Sequence, residues 1–297
     1  MEGEEKTLAD RDTVGELLAR ASARLARAGI PSPQDEARIL MAETLCVSRT
    51  WVIAHPEATV PPDRRLTFDS YVARRAAHEP EAYIVGRREF YGLEFEVDCS
   101  VLIPRPETEL LVDHALASSD RLQAVKGRQI LAVELGTGSG AVAIVMAMRR
   151  PGLRLVAVEK SPAALAVARR NAVLHMVADR IEFRLGDLLD GVTEEVDLLV
   201  ANLPYVPTEE IGTLMPDVRD YEPVEALDGG PDGTAVIQRA LEQATVVMGH
   251  PAALVFETGD GQGARLTEVS RTLYPGATIR ILRDYAGFER ILSIETL

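Results

Sequence analysis

The sequence is poor in cysteine and has no long apolar run. Its 297 residues contain two cysteines, Cys46 and Cys99, too few for a disulfide framework or for a zinc site built on cysteines. No apolar run approaches the ~20 residues that a helix needs to span a bilayer. We therefore expect no metal cofactor, no membrane partner and two unpaired thiols in a reducing cytoplasm.

Basic residues are outnumbered by acidic ones. Lys and Arg number 32 against 46 Asp and Glu, which gives a net charge of -14. Tight binding to a polyanion depends on neutralising phosphates with Lys and Arg, so we expect no direct nucleic-acid partner. A protein partner or a small substrate fits better, and we expect a monomer. Acidity that serves only solubility is the alternative explanation of the charge.

The first 105 residues predict a helical domain followed by a hairpin. Residues 1–12 are expected to be a disordered, charged lead-in. Residues 13–16 match a capping box, and apolar positions at helical spacing follow it. Three more helical segments with short connections make residues 13–80 a small all-helical domain. Alternating apolar and acidic residues around a central glycine then predict a β-hairpin within a linker at 81–105.

Residues 106–297 predict a second domain of the α/β class. Pro106 suits the first turn of a helix that opens this domain. From residue 130 the pattern alternates between strands and helices, which is typical of a parallel, doubly wound sheet. The predicted strands are 130–135, 155–158, 181–185, 196–201, 253–257, 279–282 and 288–294, and the predicted helices are 141–149, 163–174 and 235–248.

The strongest local motif joins the first of these strands to the next helix. Glycines at such a junction permit a tight turn and let a ligand approach the backbone closely. An acidic residue just before the loop, Glu134, disfavours a pyrophosphate and favours an ammonium group such as that of S-adenosylmethionine. NAD(P) and a glycine turn without any ligand remain the alternatives. The loop is Gly136-Thr137-Gly138-Ser139-Gly140.

The next two strands end in further candidate binding residues. Glu159 ends the second strand about 20 residues after the loop, where a carboxylate can accept hydrogen bonds from a ribose diol. Its alternative role is that of an acidic charge at a helix N-terminus. After the third strand, Asp187 could accept from an adenine amino group and Leu188 could pack on the ring. Alone, these two residues form a generic turn.

The fourth strand leads into the motif that discriminates between functions, Asn202-Leu203-Pro204-Tyr205. Ligands bind at the carboxyl ends of strands in such sheets. The Asn202 oxygen and the Leu203 carbonyl can each accept a substrate N–H, while Pro204 stiffens the turn and Tyr205 offers an aromatic face to a planar group. This arrangement predicts methyl transfer to an amide or amino nitrogen by in-line displacement, helped mainly by positioning. No triad, HExxH or paired-carboxylate pattern competes, although a turn-forming Asn is the plainer explanation of Asn202.

At these motifs the chain resembles the HemK/PrmC family of protein-(glutamine-N5) methyltransferases. The resemblance begins near residue 13 and covers nearly the whole chain. It includes the helical domain, the glycine loop and several further runs, namely Tyr83-Ile84-Val85-Gly86, Glu89-Phe90-Tyr91-Gly92, Leu102-Ile103-Pro104-Arg105-Pro106-Glu107-Thr108-Glu109, Glu222-Pro223 and Ala226-Leu227-Asp228-Gly229-Gly230-Pro231-Asp232-Gly233.

The resemblance implies both a fold and an activity. The fold is a class I Rossmann-like SAM-dependent methyltransferase domain with a small all-helical N-terminal domain, here a substrate-recognition domain, joined to it by a β-hairpin. The activity is methylation of the glutamine in the Gly-Gly-Gln motif of class 1 peptide chain release factors. S-adenosylmethionine is implied as the cofactor, and a release factor is implied as the partner.

The resemblance also implies site residues, at the positions of this chain that match the family's motifs. Gly136, Thr137, Gly138, Ser139 and Gly140 are implied for the methionine part of the cofactor, Glu159 for the ribose and Leu188 for the adenine side. Asn202, Leu203, Pro204 and Tyr205 are implied for glutamine binding; Asn202, Pro204 and Tyr205 are the expected catalytic set, and Asn202 also borders the cofactor.

Two segments depart from the family pattern. Leu203 stands where the family motif Asn-Pro-Pro-Tyr has its first proline, although the backbone carbonyl is retained. Thr258 and the pair Asp260-Gly261 depart from the usual residues after a later strand. The alternatives are therefore an adenine-N6-type nucleic-acid methyltransferase, against which the charge argues, and a non-catalytic module that binds S-adenosylmethionine or a release factor.

Overall fold

The computed structural model describes residues 12–296 and divides into two compact units, with the boundary between Gly86 and Arg87. The predicted lead-in lies outside the described residues except for Asp12, which forms ion pairs with Arg20 and Arg65. Within residues 12–296, no helix combines the length and the apolar character needed to cross a bilayer.

The first unit is helical in its described part. Thr13 and Glu16 form the predicted capping box, in which the Thr13 hydroxyl accepts from Glu16 N at 3.3 Å and the Glu16 carboxylate accepts from Thr13 N at 3.0 Å. One face of the first helix enters the core of the unit because its apolar residues recur at helical spacing. The helices are α1 (Val14–Arg27), α2 (Pro33–Leu45), α3 (Arg49–Ala54), α4 (Pro62–Ala76) and α5 (Glu81–Val85).

The segment predicted as a linker, 81–105, is divided between the two units. Its start forms α5 in the first unit, and the predicted hairpin follows in the second unit as β1 (Arg87–Phe90) and β2 (Leu93–Glu96). The prediction that Pro106 lies in the first turn of a helix is wrong. Pro106 lies in a turn that precedes the helix, in which Thr108 N donates to the Arg105 carbonyl at 3.1 Å. The helix itself begins at Thr108.

The second unit is an α/β domain with helices on both faces of one large sheet. Its remaining elements are α6 (Thr108–Lys126), β3 (Leu131–Leu135), α7 (Ala141–Arg149), β4 (Arg154–Glu159), α8 (Pro162–Leu174), β5 (Ile181–Leu185), β6 (Val196–Ala201), α9 (Pro216–Arg219), α10 (Ala235–Val247), β7 (Met248–Glu257), α11 (Gly263–Leu273), β8 (Thr278–Arg283) and β9 (Glu289–Thr296). Among them, α9 and α11 were not predicted, and β7 begins before its predicted start.

The sheet has seven strands in the order β5-β4-β3-β6-β7-β9-β8. The strands β3 to β7 are parallel, as predicted. The predicted parallel sheet is mixed at one edge, because β9 runs antiparallel to both β7 and β8. A short turn joins β8 to β9, and a parallel pair would need a long crossover there.

Alternation along the central strands separates two apolar cores. In β3, Leu131, Val133 and Leu135 face the core that α10 and α11 cover, whereas Ala132 faces the core that α6 and α7 cover. Burial on both faces accounts for the nearly continuous apolar character of these strands. The reversal of strand order between β3 and β6 then opens a crevice at their carboxyl ends.

Candidate active site

A cavity of about 260 Å³ lies at this crevice, close to the lower end of the ~300–1,000 Å³ that is typical of small-molecule sites. Its wall includes the segments that follow β3, β4, β5 and β6, together with residues from the segment before α6 and from 223–239. Gly140 and Tyr205, both predicted for the site, are not among the described residues that line it. The predicted residues that do line it are Gly136, Thr137, Gly138, Ser139, Glu159, Leu188, Asn202, Leu203 and Pro204.

The glycine loop has the backbone that its sequence demands. Gly136, Gly138 and Gly140 have φ values of +66°, +55° and +83°, in the left-handed region that favours glycine. A Cβ at Gly140 would lie 3.0 Å from Ile144 Cδ1 and 3.1 Å from Ala168 Cβ. This glycine therefore allows α7 and α8 to pack closely, while the first two glycines border the cavity.

A buried carboxyl lies beneath the loop. Glu134 is 4% exposed, and its Oε2 accepts from the Thr137 hydroxyl at 2.5 Å and from Ala143 N at 3.2 Å. Burial raises the pKa of this carboxyl to about 8, and the hydrogen bonds from Thr137 and Ala143 oppose the rise. A cation in the cavity would favour the charged form, so Glu134 is suited to receive an ammonium group.

The carboxylate at the end of β4 also holds the loop. Glu159 Oε2 accepts from Gly138 N and Oε1 accepts from Ser161 N, each at 2.9 Å. Each carboxylate oxygen has a second lone pair, so Glu159 can accept from a bound diol without releasing either backbone group.

The turn after β5 combines a strained backbone with an ion pair. Leu188 is 6% exposed and has a φ of +53°, which is uncommon for a branched side chain. The neighbouring Asp187 accepts from Arg239 at 2.8 Å with both oxygens. All three residues line the cavity, so an adenine ring could pack on Leu188 next to a carboxylate that is already oriented.

The motif after β6 presents two acceptors. Asn202 Nδ2 donates to the Thr108 hydroxyl at 3.0 Å. Within residues 12–296, no group of standard geometry donates to Asn202 Oδ1 or to the Leu203 carbonyl. The Leu203 side chain is 4% exposed and lies against Gly136, where a Cβ would be 3.2 Å from Leu203 Cδ2. The departure from the family motif therefore packs the acceptor turn on the glycine loop.

Tyr205 does not line the cavity, and two hydrogen bonds anchor it behind the motif. Its hydroxyl donates to Glu257 Oε1 at 3.3 Å, and its carbonyl accepts from Gln262 Nε2 at 2.8 Å. Burial, followed by the charge of Glu257, raises the pKa of the Tyr205 hydroxyl well above its usual range. The tyrosine therefore stays neutral and holds β7 and its following loop against the motif.

A glycine-rich loop packs against the back of the same motif. Gly229 N donates to the Val206 carbonyl at 2.9 Å. A Cβ at Gly229 would lie 2.7 Å from the Pro204 carbonyl oxygen, and a Cβ at Gly233 would lie 2.2 Å from the Tyr205 carbonyl oxygen. These glycines were identified by family resemblance alone, and their common feature is a close backbone approach.

Arg105 of the cavity wall forms an ion pair with a buried carboxyl behind it. Arg105 donates to Glu222 Oε1 at 2.5 Å, and Ile103 N donates to Oε2 at 3.4 Å. Burial raises the pKa of the 4% exposed Glu222, and Arg105 opposes the rise. Sequence reasoning assigned this pair no role, because its partners are 117 positions apart. Within the described part of the chain, no cluster of three or more His, Cys, Asp or Glu residues is arranged to hold a metal.

Two family models match the chain. The PrmC N-terminal domain matches residues 16–86, and the methyltransferase small domain matches residues 108–218. The release factor glutamine methyltransferase of Cereibacter sphaeroides is 36% identical over 281 residues, covering 94% of this chain and 96% of its own length. The release factor glutamine methyltransferase of Moorella thermoacetica is 37% identical over 279 residues, which cover 94% of this chain and 96% of that protein.

Solved structures share the fold. The hMettl16 catalytic domain, solved in complex with an RNA hairpin, has a TM-score of 0.55 at 14% identity and covers 80% of this chain and 82% of that one. Likeness at this identity establishes the α/β methyltransferase fold alone. Because the sequence relatives match almost from end to end at over 30% identity, the chain belongs to the release factor glutamine methyltransferase family.

Proposed function

We propose that the protein transfers a methyl group from S-adenosylmethionine to the side-chain amide nitrogen of the glutamine in the Gly-Gly-Gln motif of class 1 peptide chain release factors. The observation that carries this proposal is the acceptor pair at the end of β6. Asn202 Nδ2 donates a hydrogen bond to the Thr108 hydroxyl. Within residues 12–296, Asn202 Oδ1 and the neighbouring Leu203 carbonyl accept none of standard geometry, so both can accept from a substrate.

An amide nitrogen is a poor nucleophile because its lone pair is delocalised into the carbonyl. Two acceptors that bind both N–H groups of a glutamine amide hold the nitrogen in place and increase its electron density. The rest of the rate enhancement comes from positioning, which can supply several kcal/mol of the barrier. The new nitrogen–carbon bond would replace the methyl–sulfur bond of the sulfonium, which leaves as a neutral thioether, and the methylated nitrogen would give one N–H proton to water. The site therefore needs no acid–base pair of the hydrolase type.

The residues around the cavity fit the cofactor. Glu134 can receive an ammonium group, Glu159 a ribose diol and Leu188 an adenine ring, while Gly136 and Gly138 let a ligand approach the backbone. When bound, S-adenosylmethionine supplies an electrophilic methyl group on a sulfonium. The two carboxyls, both under 10% exposed, disfavour the pyrophosphate of NAD(P) in the same place.

The relatives support a protein substrate, since those compared above are named release factor glutamine methyltransferases. The net charge of -14 supports a protein over a nucleic acid as well. We infer that the enzyme meets its release-factor substrate in the cytoplasm.

The direct test is to incubate the protein with methyl-labelled S-adenosylmethionine, a class 1 release factor and total RNA. Label in the Gly-Gly-Gln peptide of the release factor is the expected result. Label in RNA would identify an adenine-type methyltransferase instead, and binding of cofactor and release factor without label would identify a non-catalytic module. The Asn202→Ala variant gives the background.

Replacing Leu203 by the family proline tests the departure in the motif. Proline retains the backbone carbonyl, so methylation should be kept or raised. The free energy of unfolding should fall by about 2 kcal/mol, because buried leucine atoms that pack on Gly136 are lost. Steady-state kinetics and urea unfolding measure the two effects. A sharp loss of methylation at unchanged cofactor affinity would indicate another acceptor group.

Cofactor binding should release protons at neutral pH. Below its pKa of about 8, Glu134 is mostly protonated in the free protein, whereas an adjacent ammonium group favours the carboxylate. Affinity should therefore rise as the pH rises from about 6 towards 8, with release of up to one proton. Titration calorimetry in two buffers of different ionisation enthalpy measures this number. Glu134→Gln should bind more weakly and without the release, and an equal heat in both buffers for the wild type would contradict the assignment.

A further inference from the structure

The hydrogen bond between Asn202 and Thr108 can form in either of two directions. A hydroxyl oxygen can accept from the amide Nδ2, or it can donate its hydrogen to the amide Oδ1. The first arrangement turns Oδ1 towards the cavity, and the second turns Nδ2 towards it. Only the first can accept an N–H from a substrate amide. The direction of the Thr108 hydroxyl therefore determines whether the motif can hold its substrate.

A buried carboxyl behind the motif can fix that direction. Glu257 ends β7, beside β6, and is 1% exposed. Its Oε1 accepts from the Tyr205 hydroxyl at 3.3 Å. Its Oε2 is buried and has no hydrogen bond of standard geometry within residues 12–296. A buried acceptor without a donor is costly, and the Thr108 hydroxyl lies close enough to interact with this carboxyl.

We propose that Glu257 and Thr108 are positioning residues that orient the Asn202 amide for the methyl acceptor. In the active site the Thr108 hydroxyl donates to Glu257 and accepts from Asn202 Nδ2, so that Oδ1 faces the cavity. A carboxylate only accepts hydrogen bonds, and this property gives the three-residue chain a single direction. The inference rests on the proposed function, because it explains how the acceptor pair selects an N–H donor.

The charges around Glu257 make this direction dependent on pH. Burial raises the pKa of Glu257 to about 7, while Thr108, Arg290 of β9 and the Tyr205 hydroxyl lower it and Glu107 raises it further. A protonated Glu257 can donate to Thr108, which reverses the chain and turns Asn202 Nδ2 towards the substrate. kcat should therefore fall as the pH is lowered through about 7.

Three single variants and one double variant test the chain by kinetics. Thr108→Val removes the hydroxyl at constant shape, and Glu257→Gln replaces the acceptor by a group that can also donate. Each should lower kcat on the order of 10- to 100-fold with the dissociation constant for S-adenosylmethionine within about 2-fold. Thr108→Ser should restore most of kcat, and the double variant should be no slower than the slower single variant. Glu257→Gln should also lose the pH dependence near 7. Additive losses, or a Thr108→Val enzyme as fast as the wild type, would overturn the proposal.

A second measurement is independent of the substrate and of turnover. The side-chain amide protons of Asn202, observed by ¹⁵N NMR, should exchange slowly with solvent in the wild type and in Thr108→Ser. They should exchange faster in Thr108→Val and in Glu257→Gln, while the melting temperature of Glu257→Gln stays equal or rises. If the release factor proves not to be the substrate, this exchange pattern still decides the proposal. Equal exchange in all four proteins would refute it.

Discussion

Asn202→Ala should lower kcat for methyl transfer by about 10²- to 10³-fold, the loss that follows removal of one polar group aimed at the reacting centre. The alanine variant has no side-chain acceptor beside the Leu203 carbonyl, so the substrate glutamine amide keeps only one of its two hydrogen-bond acceptors. The affinity for S-adenosylmethionine should stay within a few-fold, because the two carboxyls that fit the cofactor lie in β3 and β4 and the glycine loop follows β3. Steady-state kinetics and equilibrium binding separate the two effects.

Asn171 provides the matched control. It is fully buried, and its Nδ2 donates to the carbonyls of Glu96 and Ser139 at 3.0 and 2.8 Å. Asn171→Ala therefore removes the same amide from a residue that holds the glycine loop, and it should weaken cofactor binding and lower the melting temperature. If Asn202→Ala instead weakened cofactor binding as strongly as it lowered kcat, Asn202 would be a cofactor residue.

The fold was predictable where short-range patterns determine it. The alternation of strands and helices from β3 to α10 follows from periodicity within each segment, and the two glycine-linked runs at β1 and β2 identify the hairpin. The position of β9 between β7 and β8 could not be predicted, since strand pairing joins segments that are separate in sequence. The start of α11 depends on Gly263 N donating to Glu289 at 3.0 Å, a contact between segments that are distant in sequence.

The same distinction holds for the site. Loops at strand ends were identifiable because the switch-point rule concerns the strand just before them, and nine of the eleven predicted site residues line the cavity. Gly140 and Tyr205 differ because their contacts are with α8 and β7, which local sequence does not show. Thr108 was part of a recognised run, but its role needs Asn202, which lies 94 positions away.

Gly233→Ala should be strongly damaging although Gly233 does not line the cavity. Gly233 has a φ of +74°, and an added Cβ would lie 2.2 Å from the Tyr205 carbonyl oxygen and 2.5 Å from Gln262 Nε2. Contacts this short force a backbone to move, and the nearest backbone belongs to the acceptor motif. A displacement of about 1 Å can cost on the order of 10²-fold in rate, so kcat should fall at least that far in the folded protein.

Gly276→Ala separates this clash from the cost of the left-handed backbone. Gly276 has a φ of +88° and nothing within 4 Å of an added Cβ, so its variant should lose about 1 kcal/mol of unfolding free energy and keep its kcat. Urea unfolding and kinetics on both variants show whether Gly233→Ala loses more stability and, separately, activity. Equal stability losses and equal kcat values would mean that the glycine loop tolerates the added methyl group without moving the motif. A fall in kcat for Gly233→Ala, with kcat unchanged in Gly276→Ala, would establish that the loop behind Tyr205 holds the acceptor pair in its working position.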